Sequence, residues 1–255
     1  MRAVEVEKEG RPSVVKRVEP SDIKLGEISK TRLQDMLEAG ENLIKLYKKL
    51  KSDDDNLLLP LLEGERIFKR WSEYPVGAVQ DAKGSQYYYH CHGEPEEHGH
   101  FHLFLCHPGI PESCEPLPSD AENYPHGDDT YAHIIAFGMN EFGFPQRLFA
   151  VNRWSCVDAW YPATDLIEMM DHFKLDEVNV EIETTPWVLW MARLYRPYIE
   201  RVLHERDNTI MRWRAINPES DFLEDTDLET LADMELSIED QVASIRSELE
   251  SRMAV

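Results

Sequence analysis

The chain has 255 residues, 42% hydrophobic and 10% aromatic, enough to bury one sizeable core in a globular fold. Its formal net charge is −22, and the acid is concentrated in residues 51–150 and 216–255. Such a surface repels nucleic acid and anionic lipid, and no apolar run approaches the length of a membrane span, so neither nucleic acid nor membrane is an expected partner.

The N-terminus, MRAVEVEKEGRPSVVKRVEP, has no apolar stretch of signal-peptide length, and the four cysteines form no C-x-x-C pair. A reducing cytoplasm with free thiols is the expected setting. Residues 1–28 read as an extended arm. Ser29 then caps a helix over 30–51, whose apolar positions Leu33, Met36, Leu37, Leu43, Ile44, Tyr47 and Leu50 follow the 3.6-residue period. A short helix is predicted over Glu63–Trp71 and a turn at Tyr74–Gly77.

The central stretch, Gln86–His107, holds six of the ten histidines. His90-x-His92 and His98-x-His100-x-His102 alternate as strand residues do, and Gly93–Glu97 between them has hairpin turn chemistry. Symmetric pairing about that loop sets His92 against His98, His90 against His100 and Tyr88 against His102, with five imidazoles on one face. Cys91 is expected on the opposite face, buried as a small apolar residue.

A Pro- and acid-rich loop follows over 108–129. Tyr131–Gly138 and Gln146–Trp154 read as two further strands, for at least four antiparallel strands in all. Helices are predicted from Pro162 to Phe173 and from Trp187 to Trp213, the second broken at Pro197. Beyond Asn217-Pro218, Thr226-x-x-Glu229 and Ser237-x-x-Asp240 resemble helix-capping boxes. Ile238, Val242, Ile245 and Leu249 form a narrow stripe fit to dock a protein partner or a second copy of the chain.

The fold class expected is α+β: a small antiparallel sheet or partial barrel carrying a histidine-lined pocket, with surrounding helices. Its domains are an arm (1–28), one α+β domain (29–215) and an acidic helical tail (216–255). The segments QYYYHCHGEPEEHGHFHLFL, AHIIAFGMNEFGFPQRLFAVNRW and WYPATDLIEMMDHF resemble a bacterial family of uncharacterised domains, over roughly Trp71–Asp207. The resemblance implies a bacterial cytoplasmic protein with one α+β domain, and it supplies no activity.

Clustered imidazoles point to a divalent transition metal, zinc or iron. The candidate ligands are His90, His92, His100, His102 and His133. His100, His102 and His133 make one three-ligand set, and His90, His92 and His100 another. Three protein ligands leave a position for water or a small-molecule substrate, the pattern of a metal-dependent hydrolase or oxidoreductase. Glu97 and His98 are the candidate acid–base residues. Two alternatives stand beside this. One is a histidine-triad-like nucleotidyl hydrolase or transferase, in which His100 is the nucleophile. The other is a non-catalytic metal carrier or regulatory subunit. Against all three stands simple packing of the imidazoles among Tyr87, Tyr88, Tyr89 and the loop carboxylates. Arg147 and Arg153 either hold a carboxylate substrate or neutralise nearby acid.

Overall fold

A computed structural model describes residues 14–62, 67–94, 97–175 and 183–253. One seven-stranded sheet organises them, in the order β1-β7-β6-β5-β4-β3-β2. The strands are β1 (Lys16–Arg17), β2 (Glu73–Gln80), β3 (Ser85–Cys91), β4 (Gly99–Cys106), β5 (Tyr131–Met139), β6 (Pro145–Val151) and β7 (Thr230–Glu235). All pairings are antiparallel except β1 with β7. The sheet is open, with β1 and β2 at its edges. Among the described residues no helix is long and apolar enough to cross a membrane.

The apolar face of the sheet presents Tyr87, Tyr89, Phe101, Leu103, Leu105, Phe137, Leu148 and Met234 to one large core. That core is closed by α1 (Lys30–Asp53), α3 (Ala163–His172), α4 (Thr184–Leu194), α5 (Arg196–Ile216) and α6 (Ile238–Met253). The Ser29 side chain caps α1 through the Arg32 amide, as its sequence signature predicts. Gly40 costs helix stability, but a Cβ there would lie 2.3 Å from Val242, so the glycine lets α1 and α6 approach closely.

Several expectations are revised. Of the extended arm expected over 1–28, residues 1–13 lie outside the described residues, and Lys16 and Arg17 pair with Ala232 and Asp233 at the sheet edge. Residues 216–255 are not simply a helical tail. Thr226-x-x-Glu229 leads into β7, because the chain there joins the antiparallel ladder beside β6. Ser237 does cap α6 through the Asp240 amide. The stripe Ile238, Val242, Ile245 and Leu249 is buried against the main core, so that apolar surface is covered within the chain. Tyr74–Gly77 lies inside β2, at a bulge where the register shifts between Tyr74 and Val79. The helix predicted over 63–71 is absent from 67–71, and 63–66 lie outside the described residues. The 108–129 loop is anchored: Tyr124 is buried and its hydroxyl donates to Leu117 O and accepts from the Trp160 amide.

Glu200 ties three helices together, accepting from Arg32 of α1 at 2.6 Å and from Arg196 of α5 at 2.8 Å, while Arg196 reaches Asp171 of α3. Burial alone would raise the Glu200 carboxyl pKa, but the two guanidinium groups hold it below its ordinary value. The stability it contributes is therefore complete above the unfolded carboxylate range, near pH 4.3, and is lost as pH falls through the lower folded value. Glu200→Gln is expected to flatten this part of the acid-side slope, read by urea unfolding between pH 3 and 6.

Candidate metal centre

The histidine face of the sheet is built by register. His90 pairs with His100 and Tyr88 with His102 across β3 and β4, as the hairpin symmetry predicts. His98 departs from it. It lies in a bend before β4 begins at Gly99, so the strand alternation does not extend to it. Its ring turns to the opposite side of the sheet, where Nδ1 meets the Tyr89 hydroxyl at 2.7 Å and the ring packs edge-on against Phe68. The face therefore lacks His98, and a histidine-triad arrangement loses its first member there.

His133 takes its place through a β-bulge. Leu103 pairs with Ile135 but Phe104 pairs with His133, so Ile134 is an extra residue in β5. Strict alternation would point His133 away from Ala136, the partner of His102. The bulge returns it to the histidine face, where its Nε2 lies 3.0 Å from Nδ1 of His102. Asp158 caps the bulge, accepting the His133 amide at 2.9 Å. Burial pushes that carboxyl up to about 7, a rise that the His133 hydrogen bond and Arg206 only partly oppose.

Cys156 completes the group. After β6 the chain makes a single helical turn, α2 (Arg153–Cys156), instead of continuing as strand to Trp154. Asn152 caps this turn through the Arg153 amide and donates to Phe222 O and Leu228 O. Arg153 is fully buried, ion-paired to Glu224 and bonded to Asn123. This turn sets Cys156 Sγ 3.7 Å from His102 Nδ1. The donor atoms of His102, His133 and Cys156 all lie within 4.8 Å of one another, and among the described residues they alone form such a group. A tetrahedral metal with bonds of about 2.0 Å to nitrogen and about 2.3 Å to sulfur places two nitrogens about 3.3 Å apart and nitrogen and sulfur about 3.5 Å apart. The two separations from His102 Nδ1, 3.0 and 3.7 Å, come near that frame, and the third lies within 4.8 Å, so the group could hold a metal ion.

The electrostatics suit a cation. Burial, reinforced by Asp158, Glu73 and Glu229, raises the Cys156 thiol well above its ordinary value. Burial and neighbouring imidazoles lower His102 well below its ordinary value, and burial with Arg206 lowers His133 to about 3. Both imidazoles are thus neutral ligand forms at pH 7, and a bound cation supplies the positive charge that a thiolate requires.

Glu97 is neither exposed nor free. Its carboxylate spans His100 Nδ1 at 2.9 Å and Arg147 Nε at 2.6 Å. Burial alone would raise it, but the hydrogen bonds from His100 and Arg147 bring it down to about 2. Arg147 thus neutralises nearby acid, as one of the two sequence readings has it, and Arg153 does the same for Glu224. Gly138, the cross-strand partner of His100, makes room for Glu97: a Cβ there would lie 2.3 Å from Glu97 Oε2. Gly138→Val is expected to displace the carboxylate and release His100, seen in imidazole NMR as loss of the protected His100 Nδ1–H signal while β4–β5 amide protection persists.

His90, His92 and His100 gather beside this group, with His100 4.4 Å from His102 between ring centroids. His90 and His92 are each lowered to about 4, by burial first and by His100 second. Trp71, 56% exposed, stands over His92 with centroids 4.8 Å apart at the open side of the face. Cys91 lies on the opposite, buried face, as the alternation predicts.

Sheet, helices and cluster together define an α+β protein with a candidate thiolate–imidazole metal centre. The chain belongs to the domain of unknown function DUF6969, whose family model matches residues 37–236. That span includes every residue of the cluster. No curated protein and no solved structure matches the chain.

Cys156 and Asp158 carry no signal in the sequence that distinguishes them from other buried residues. Only the proximity of Trp154-Ser155-Cys156-Val157-Asp158 to the end of a predicted strand hinted that they return to the sheet.

Proposed function

We propose that this protein is a metal-dependent enzyme whose centre is a divalent transition metal held by His102, His133 and Cys156. The observation that carries it is the convergence of three donor atoms within 4.8 Å of one another, with His133 Nε2 at 3.0 Å and Cys156 Sγ at 3.7 Å from His102 Nδ1. One thiolate with two imidazoles favours zinc over iron, since hard-ligand iron sites use carboxylates instead. Three protein donors would leave one position for water or substrate. Zinc lowers the pKa of a bound water toward neutrality, which favours hydrolytic chemistry on a small-molecule substrate. The chain's own contribution is to fix the ligands: the bulge aims His133, Asp158 holds its backbone, and the Asn152-capped turn delivers Cys156.

The test uses full-length protein without a histidine tag, freed of metal and reloaded with cobalt(II). A thiolate-to-metal charge-transfer band that disappears in Cys156→Ser, together with metal retained through gel filtration, supports the reading. Retained metal with no thiolate band in the native protein refutes this ligand set, and no retained metal of any kind refutes the metal reading.

A further inference from the structure

The imidazoles next to the His–His–Cys group are more than an extension of it. His90, His92 and His100 stand 5.0, 4.7 and 5.6 Å apart between ring centroids. An imidazole bound at about 2.0 Å has its centroid about 3.2 Å from the metal, so two rings on one tetrahedral ion have centroids about 5.2 Å apart. The three separations bracket that value, and the 5.0 Å between His102 and His133 lies close to it.

His100 also carries the second signature of a metal-bound histidine. Its Nδ1 is held by the Glu97 carboxylate, itself clamped by Arg147, which leaves Nε2 as the free donor. His90 and His92 are half-buried, one at the end of β3 and the other just past it, and among the described residues neither side chain has a hydrogen-bond partner. The trio does not have its donor atoms drawn together as the first group does. The His90 and His100 rings lie nearly parallel, at 13°. Closing the site would require the His90 and His92 rings to turn about their own side-chain bonds.

From this geometry we infer that His90, His92 and His100 form a second site for a divalent transition-metal cation, adjacent to the His102–His133–Cys156 site. The pairing of the two rests on the proposed function above. Each metal would then have three protein donors, with the His100 and His102 rings in contact between the two sets. A cation at the second site would supply a further Lewis acid for a polar, anionic substrate beside the first.

Metal-free full-length protein is titrated with cobalt(II), with bound metal counted by elemental analysis and the thiolate charge-transfer band followed in parallel. The expected result is two equivalents in the native protein, one in His90→Gln and in His92→Ala with the band retained, and one in Cys156→Ser without the band. His92 lies outside the strand, so His92→Ala leaves the sheet ladder untouched. One equivalent that survives both histidine substitutions, or two that do, overturns the second site. One equivalent lost with His90 or His92 and never giving a thiolate band upholds the trio and overturns the first site. No binding overturns both.

Discussion

Zinc present at about a hundred times its dissociation constant for the His102–His133–Cys156 site is expected to raise the melting temperature of the native protein by roughly 5–10 °C more than that of His133→Ala or Cys156→Ser, which keep only the His90–His92–His100 site. A ligand that binds only the folded state stabilises it by about 2.7 kcal/mol at that concentration. In a domain of this size each kcal/mol moves the melting temperature by about 2–4 °C. The donors come from β4, from the bulge of β5 and from α2, so the unfolded chain, in which His102 and His133 are 31 positions apart, does not hold them together. Binding is therefore coupled to the fold, and the stabilisation should fall on acidification as protons compete for the ligands. Calorimetry or thermal scanning with and without zinc measures it. An equal rise in native protein and Cys156→Ser would place the ion elsewhere.

Glu224→Ala is expected to destabilise the fold by about 3 kcal/mol, more than removal of any other single surface-reaching carboxylate, because it strands a buried charge. Arg153 is fully buried, and among the described residues its Nε has no hydrogen-bond partner. Glu224 and Asn123 satisfy its other nitrogens, and Tyr124 lies 5.1 Å beneath its guanidinium. The loss is somewhat moderated because the Glu224 side chain is 33% exposed and water can enter when it is removed. Arg153→Met replaces the charge with an apolar chain of similar length and should cost less than Glu224→Ala. Urea unfolding of the two variants measures the difference, and a Glu224→Ala protein as stable as the native one would show that Arg153 finds another partner. Because Arg153 opens the turn that delivers Cys156, loosened Glu224→Ala protein should also bind zinc more weakly.

The hairpin was legible because its information is local. His90 with His100 and Tyr88 with His102 follow from period-two alternation and a five-residue loop, and both pairings are present. The helices α1, α4 and α5 were legible for the same reason, since Ser29, Pro186 and Pro197 act on their own neighbours. Three features that depend on distant partners were not legible. His98 follows the alternation in sequence and keeps backbone hydrogen bonds to His92 and Met139, but Tyr89 and Phe68 capture its ring on the opposite side of the sheet. Thr226-x-x-Glu229 has the residues of a cap, yet β6 offers that segment a free ladder edge, and it becomes strand. Cys156 reaches the site only because Asn152 ends β6 early and Phe222 and Leu228, some 70 residues away, hold the resulting turn.

The position of His133 depends on one surplus residue, Ile134, between two correctly paired stretches of β5. His133 stands three positions before Ala136, an odd separation, so it shares the histidine face only because the bulge absorbs one residue. A relative lacking Ile134 would have a separation of two and would reach the same face by plain alternation. A one-residue gap there would cost the bulge and keep the ligand. The two spacings are interchangeable ways of writing one site, and an alignment that scored the gap as damage to it would misjudge the sequence.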